Sequence, residues 1–390
     1  MSRSRSAPAR HSRPVTERQP SASGPAGDPA TYASAGVDIA AAERTVDLIR
    51  PLAGSTHGAE VIGGLGGFGG LFELAADRYR QPVLVAGTDG IGTKALVAQQ
   101  VGRFDTVGLD LVAMVVDDLV CQGAEPLFLL DYISVGSLDP AHVADLVAGV
   151  AEGCRQVGAA LLGGETAEHP GIMEPGEFDL VGFAVGVVER DDVLGAGRVR
   201  VGDVLLGLPS PGLRSNGYTL ARHVLCDRAG LPLDGPAWPG AAASLGEELL
   251  RPSVIYTPAV RAAMAAADVH AAAHITGGGF PGNIPRMLPE ETAAVLDPVT
   301  WEVPPIFSEI RRHGGVTEAE MRRVFNLGLG MVVAVAADTA ADAIAAMTPF
   351  GVEAREVGQV EAAESSPSGE DDRLVFTGRV FQNEDGGAIE

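Results

Sequence analysis

Acidic residues set among glycines are the first features of this 390-residue sequence that suggest chemistry. In Gly87-Thr88-Asp89-Gly90-Ile91-Gly92-Thr93-Lys94 the glycines let a ligand approach the backbone closely, Asp89 can hold a metal ion, and Lys94 can touch a phosphate. The spacing is not that of a Walker A loop, and a plain structural turn would read the same way. Lys94 is the single lysine among 28 Lys and Arg residues. Either it survives by chance, or its site needs a compact ammonium rather than a planar guanidinium. Farther on, Asp110, Asp117 and Asp118 lie in an apolar stretch that reads as a helix. Residues seven apart on a helix fall about 20° apart in projection, so Asp110 and Asp117 share a stripe. Acids in so apolar a helix are costly unless paired or metal-bound, and Mg2+ takes one or two carboxylates plus phosphate oxygens. Exposed or capping aspartates are the plainer reading.

Four glycine-bearing stretches follow the same logic. Glu165, in the Gly163–Gly171 run, falls in a loop at the end of an expected strand, where α/β proteins keep their sites. It can ligate a metal, act as an acid–base group, or stand as a solvated loop acid. Ser215-Asn216-Gly217-Tyr218 opens a helix whose N–H groups can receive an anion, although a simple cap by Ser215 fits too. Gly277, Gly278 and Gly279 follow a strand ending at His274 and suit a phosphate cradle; a flexible turn fits equally. Gly63 to Gly70 contains a literal G-x-G-x-x-G from Gly64 to Gly69. A dinucleotide fingerprint needs a strand just before it and a long helix just after. Gly54-Ser55-Thr56-His57-Gly58 is no strand, and only residues 71–79 remain before Pro82. A flap that closes over phosphates fits Gly66, Gly67 and Gly69 better.

The elements that must position these residues alternate between strand and helix. Asp38 can cap a helix to about Arg50. Strands are expected at 83–86, 127–135, 159–162 and 180–188, with helices at 106–122 and 141–157. The pattern restarts at 204–208, with helices near 216–229 and 257–267 and mixed elements to about 377. This is an α/β (α+β) chain of two domains, 31–190 and 191–377, between tails at 1–30 and 378–390.

Composition narrows the partners. The net charge of −23 repels nucleic acid and anionic membranes and sets both aside. No apolar run approaches the ~20 residues of a membrane helix. Cys121, Cys154 and Cys226 have no metal spacing and read as reduced thiols of a cytoplasmic protein.

Residues 32–39, 63–71, 87–94, 110–132, 163–171, 215–218 and 274–286 fall in the order found in the aminoimidazole ribonucleotide synthetase family. The chain resembles that family from about 31 to 377, most specifically in Gly-Ala-Glu-Pro-Leu-Phe at 123–128 and Gly-Gly-Glu-Thr-Ala-Glu at 163–168. The resemblance implies a homodimer whose N-terminal domains pair into a β-barrel, with an α/β C-terminal domain outside. It implies ATP and Mg2+ in a cleft between domains, and formylglycinamidine ribonucleotide as the small-molecule substrate. ATP phosphorylates the formyl oxygen; a nitrogen of the same molecule then closes the imidazole ring of aminoimidazole ribonucleotide, giving ADP and phosphate. By the same resemblance Asp89 and Asp118 are metal-binding acids, with Glu165 a third. Thr93, Lys94 and Thr166 contact the nucleotide, and Gly66, Gly67 and Gly69 form a mobile loop. Ser215, Asn216, Thr276, Gly277, Gly278 and Gly279 hold substrate or phosphate, with His274 in the catalytic group.

The chain also departs from the family. Arg214 stands where His is usual, Asp117 where many members have Asn, and Ala33 where many have Lys. An arginine can bind an anion but cannot shuttle a proton near neutral pH. A non-catalytic ATP-binding paralogue is therefore the alternative. The sister enzymes fit less well: there is no reactive Cys near the glycine loop, no C-terminal Cys, and the 123–128 run is not that of formylglycinamidine synthase.

Overall fold

A computed structural model of the chain describes residues 36–363 and 373–381. The tail expected at 1–30, Ala33 and residues 382–390 lie outside the described residues. The first half begins with α1 (Ile39–Gly54), capped as expected: the Asp38 carboxylate accepts from Ala41 N at 3.1 Å. Two short strands, β1 (Val61–Ile62) and β2 (Leu71–Phe72), pair antiparallel and carry the glycine run between them as a loop. Then come β3 (Pro82–Gly90), α2 (Lys94–Val101), α3 (Asp105–Val120), β4 (Glu125–Val135), α4 (Pro140–Val157), β5 (Ala160–Glu168) and β6 (Phe178–Glu189). The expected strands at 83–86 and 159–162 are thus longer. Glu165 and Thr166 lie within β5 rather than in a loop beyond it, because Gly163–Glu168 pair in register with Leu130–Val135 of β4.

These strands form one open sheet in the order β3-β6-β4-β5. Its inner face packs on α3 and α4; among the described residues its outer face is uncovered. That is why β3 alternates in exposure along its length, as a sheet covered on one side must. On the inner face Asp131 has an unpartnered, buried Oδ2. A Cβ on Gly164, its neighbour in β5, would stand 1.8 Å from Asp131 Oδ1, so only glycine fits there. Burial pushes the Asp131 carboxyl up to about 7. Its folded value lies above the ordinary one, so the cost to stability is absent near pH 4, grows as pH rises, and is complete above about 7. Asp131→Asn should therefore raise the melting midpoint at pH 8 and not at pH 4. Equal shifts at both values in thermal melts would refute this.

The second half runs β7 (Val204–Pro209), α5 (Tyr218–Arg222), α6 (Leu245–Leu249), α7 (Thr257–Ala266), β8 (Val269–His274), α8 (Gly279–Asn283), β9 (Thr292–Leu296), α9 (Pro305–Gly314), α10 (Glu318–Val324), β10 (Leu329–Val335), α11 (Ala340–Met347), β11 (Arg355–Ala362) and β12 (Leu374–Phe376). The helix expected near 216–229 is α5 followed by a π-helical stretch, His223–Arg228. The sheet order is β12-β9-β11-β7-β10-β8. Its central strands are buried on both faces: Leu205 and Val332 pack into one core cluster, Leu206 and Val333 into the other. Hence β10 reads as the unbroken run Leu-Gly-Met-Val-Val-Ala-Val. Within the tail expected from 378, Val380 and Phe381 are instead buried: Val380 N donates to Glu318, and Arg311 lies over the Phe381 ring.

Candidate active site

Helix α3 joins the two halves through its acids. Asp110 and Asp117 share a stripe, as their spacing requires, and both are fully buried. Asp110 Oδ1 accepts from Ser253 N at 2.8 Å and Ser253 Oγ at 2.6 Å, while Oδ2 lies 2.5 Å from Lys94 Nζ. Asp117 Oδ1 accepts from Tyr256 N and Thr257 N, both at 2.9 Å, and from Thr257 Oγ1 at 3.0 Å; Oδ2 accepts from Arg214 Nη2 at 2.9 Å. The stripe is a clamp for the second half of the chain.

Lys94 is part of that clamp and lies elsewhere than its loop suggested. Its ammonium is fully buried and donates to the carbonyls of Arg214 and Arg251, each at 3.0 Å. Burial lowers its pKa, with Asp110 opposing. With these partners the ammonium faces no cleft, so a phosphate does not meet it in this conformation. A compact ammonium suits the place because one nitrogen serves three oxygens.

Asp118 is one residue past Asp117, so it turns about 100° away from the stripe. It is about half exposed, and its Oδ1 stands 2.8 Å from His274 Nδ1 at the end of β8. Asp89 enters from the inner face of β3, where Gly90 N donates to its Oδ1 at 2.7 Å. Burial chiefly, and then the charge of Asp118, raises the Asp89 carboxyl above the usual range; the Gly90 hydrogen bond and His274 oppose this. Asp89, Asp118 and His274 are therefore neighbours.

The second half faces them with open polar groups. Ser215 Oγ and Asn216 Oδ1 are buried without a hydrogen-bond partner. Thr93 Oγ1 lies 3.2 Å from Thr219 Oγ1, joining the end of the Asp89 loop to α5. A Cβ on Gly277 would stand 3.9 Å from Asn216 Nδ2, so the Thr276–Gly279 turn lies beside Asn216. Asn283, which the sequence did not single out, holds that turn: its Nδ2 donates to the carbonyls of Thr276 (3.5 Å), Gly277 (3.3 Å) and Gly279 (2.8 Å). Gly279 has φ +58°, and a Cβ there would fall 2.1 Å from the Arg322 carbonyl, so no other residue fits.

Glu165, Thr166 and the glycine loop stand apart. The pairing register sets Gly90, Val181, Tyr132 and Glu165 in one row across the sheet. Three strand spacings, about 14 Å, thus separate Glu165 from the Asp89 edge. Leu65 and Gly70 lie against Gly163 and Leu162, which puts Gly66, Gly67 and Gly69 at the same far edge as Glu165 and Thr166. Within one chain the glycine loop and the paired acids are separate. Among the described residues no three His, Cys, Asp or Glu are arranged to hold a metal ion, so a cation at Asp89 and Asp118 would draw its other ligands from water or substrate.

Comparison with known proteins places the chain in a class. Residues 76–188 match the family described as AIR synthase related protein, N-terminal domain, and residues 200–367 match its C-terminal domain. The fold is also similar to a crystal structure of hydrogenase maturation protein HypE in complex with ATP, with TM-score 0.61 and 16% identity over 87% of this chain and 92% of that one. Among curated proteins, the phosphoribosylformylglycinamidine cyclo-ligase of Anaeromyxobacter sp. (strain Fw109-5) is 53% identical over 331 residues, 85% of this chain and 96% of that protein. That of Myxococcus xanthus (strain DK1622) is 52% identical over 334 residues, with 86% and 96% covered. The chain belongs to the phosphoribosylformylglycinamidine cyclo-ligase family, and it is an enzyme, a ligase. Among the described residues no helix is long and apolar enough to cross a membrane.

Proposed function

We propose that the chain converts formylglycinamidine ribonucleotide to aminoimidazole ribonucleotide, using ATP and releasing ADP and phosphate, as a cytoplasmic enzyme of purine synthesis. The observation that carries this reading is the acid pair, Asp89 and Asp118, in a chain whose second half leaves Ser215 Oγ and Asn216 Oδ1 buried without a hydrogen-bond partner. The formyl oxygen attacks the γ-phosphorus as the bond to ADP breaks. A substrate nitrogen then attacks the formyl carbon, the carbon–oxygen bond to phosphate breaks, and a proton is lost. Phosphoryl transfer depends on positioning and charge neutralisation more than on covalent help from the protein.

Two nearby carboxylates, Asp89 bonded to Gly90 N and Asp118 to His274 Nδ1 with no Lys or Arg on either, are a hard-oxygen donor set that fits Mg2+, which would supply positive charge for phosphate oxygens. Ser215, Asn216 and the Thr276–Gly279 turn bind and orient the substrate, since their free polar atoms and bare backbone suit an anionic ribonucleotide. Ring closure is intramolecular, so holding the substrate folded supplies much of its rate. The test is direct: purified protein, ATP, Mg2+ and formylglycinamidine ribonucleotide should yield aminoimidazole ribonucleotide, and no product above an Asp89→Asn control would sink the reading.

The working form is a homodimer, with the chain divided near 190–200. The outer face of the first sheet carries Leu84, Tyr132 and Phe183, all exposed, where an inner-barrel or interface surface is apolar. Phe183→Glu should shift the protein to a monomer in sedimentation velocity; an unchanged sedimentation coefficient would count against this interface.

A further inference from the structure

Two buried residues of opposite charge, Arg214 and Asp117, touch each other. Arg214 and Asp117 lie on different halves of the chain, 97 residues apart, and their side chains are 1% and 0% exposed. We propose that they form one positioning unit, which fixes His274 with its proton on Nδ1 and thereby holds the Asp118 carboxylate in place near Asp89. The role of Asp118 in this statement rests on the proposed reaction; the unit itself does not.

The donor logic is strict. A guanidinium only donates. Arg214 Nη2 lies 3.0 Å from His274 Nε2, so Nε2 accepts and the ring proton sits on Nδ1. Nδ1 then donates to Asp118 Oδ1 at 2.8 Å. Both ring nitrogens are engaged, so His274 is a positioning residue and has no free nitrogen for substrate. Nor can the guanidinium swing away. Its Nη1 donates to the Val254 carbonyl at 2.7 Å, and its carbon lies 4.7 Å from the Tyr256 ring centre. Asp117 cannot turn either, because three donors fix its Oδ1. The path Asp117–Arg214–His274–Asp118 leaves α3 and returns to it one residue on, a closed ring that ties the acid's direction to the docking of the halves. Arg214 has φ +65°, an uncommon backbone for a side-chain-bearing residue, and the ring holds it there.

Charge makes the unit indivisible. Arg214→His alone leaves a buried carboxylate without its cation, and Asp117→Asn alone leaves a buried guanidinium without its anion. The double change is neutral and complementary: Asn keeps an oxygen for Tyr256 and Thr257 and offers an amide N–H to the imidazole.

Two measurements decide. In 15N-histidine-labelled full-length protein, with His274 assigned by its loss in His274→Gln, Nε2 should be unprotonated and Nδ1 protonated; a proton on Nε2 overturns the proposal. In a double-mutant cycle each single change should lower kcat about tenfold or more with little change in KM, and the double variant should recover most of the loss. Additive losses overturn it. If the parent shows no turnover, the proposed reaction fails, while the tautomer and the same cycle read in denaturant unfolding still test the unit.

Discussion

Lys94→Met lowers the unfolding free energy by about 3–5 kcal/mol, the range for breaking a buried ion pair by removing one partner. The physical reason is what stays behind. Asp110 remains fully buried, and its Oδ2 loses the ammonium 2.5 Å away. The carbonyls of Arg214 and Arg251 lose their donor at the same moment. All three oxygens lie where the halves of the chain meet, so the loss falls on docking as well as on stability. Lys94→Arg should fare little better, because a planar fork cannot place one nitrogen among three converging oxygens. Removing Asp110 as well, in Lys94→Met/Asp110→Leu, should recover part of the loss by leaving no unpaired charge. Denaturant unfolding measures all three variants. A single variant as stable as the parent would show that the clamp contributes nothing.

Asp118→Asn has the opposite signature: kcat falls by about a hundredfold or more while the melting midpoint barely moves. On the proposed reading Asp118 would help hold the Mg2+ whose charge neutralises the reacting phosphates, an effect worth several kcal/mol in the transition state, and each ~1.4 kcal/mol is tenfold in rate. Asp118 is about half exposed, and Asn keeps an oxygen for His274 Nδ1, so folding loses little. The neighbouring change, Asp117→Asn, acts instead on a fully buried ion pair and reduces both stability and kcat. Steady-state kinetics and thermal melts on the two variants separate adjacent aspartates that composition cannot tell apart. An unchanged kcat in Asp118→Asn would remove it from the reaction.

Much of the first sheet was legible because its signals are local. The Asp38 cap, the apolar α3 and the strands ending near 188 all follow from residue type and spacing. The misjudged parts have a common cause. Strands β3 and β5 run past their apolar cores into Asp89 and Gly163–Glu168, since ladder pairing with β6 and β4 decides where a strand stops. Hydrophobicity alone ends them too early, and so put Glu165 in a loop. Val380 and Phe381 read as tail because two apolar residues without a period carry no signal until their contacts with Glu318 and Arg311 are seen.

The same division runs through the site. By itself the sequence determined that Asp110 and Asp117 share a face and that acids on so apolar a helix need partners, and it marked the glycines of the Thr276–Gly279 turn. These are consequences of the helical period and of backbone freedom, which act over a few residues. Only the tertiary structure decided which partners answer. Asp110 takes Lys94 and Ser253, Asp117 takes Arg214, and Asp118 is left half exposed with Asp89 and His274. Those partners lie up to 156 residues away along the chain, and a buried charge is satisfied by whatever the packing of two halves brings within about 3 Å. No local period encodes that meeting, which is why one lysine marked as a phosphate contact became a strut, and one arginine that looked like a defect became part of the frame that holds the acid.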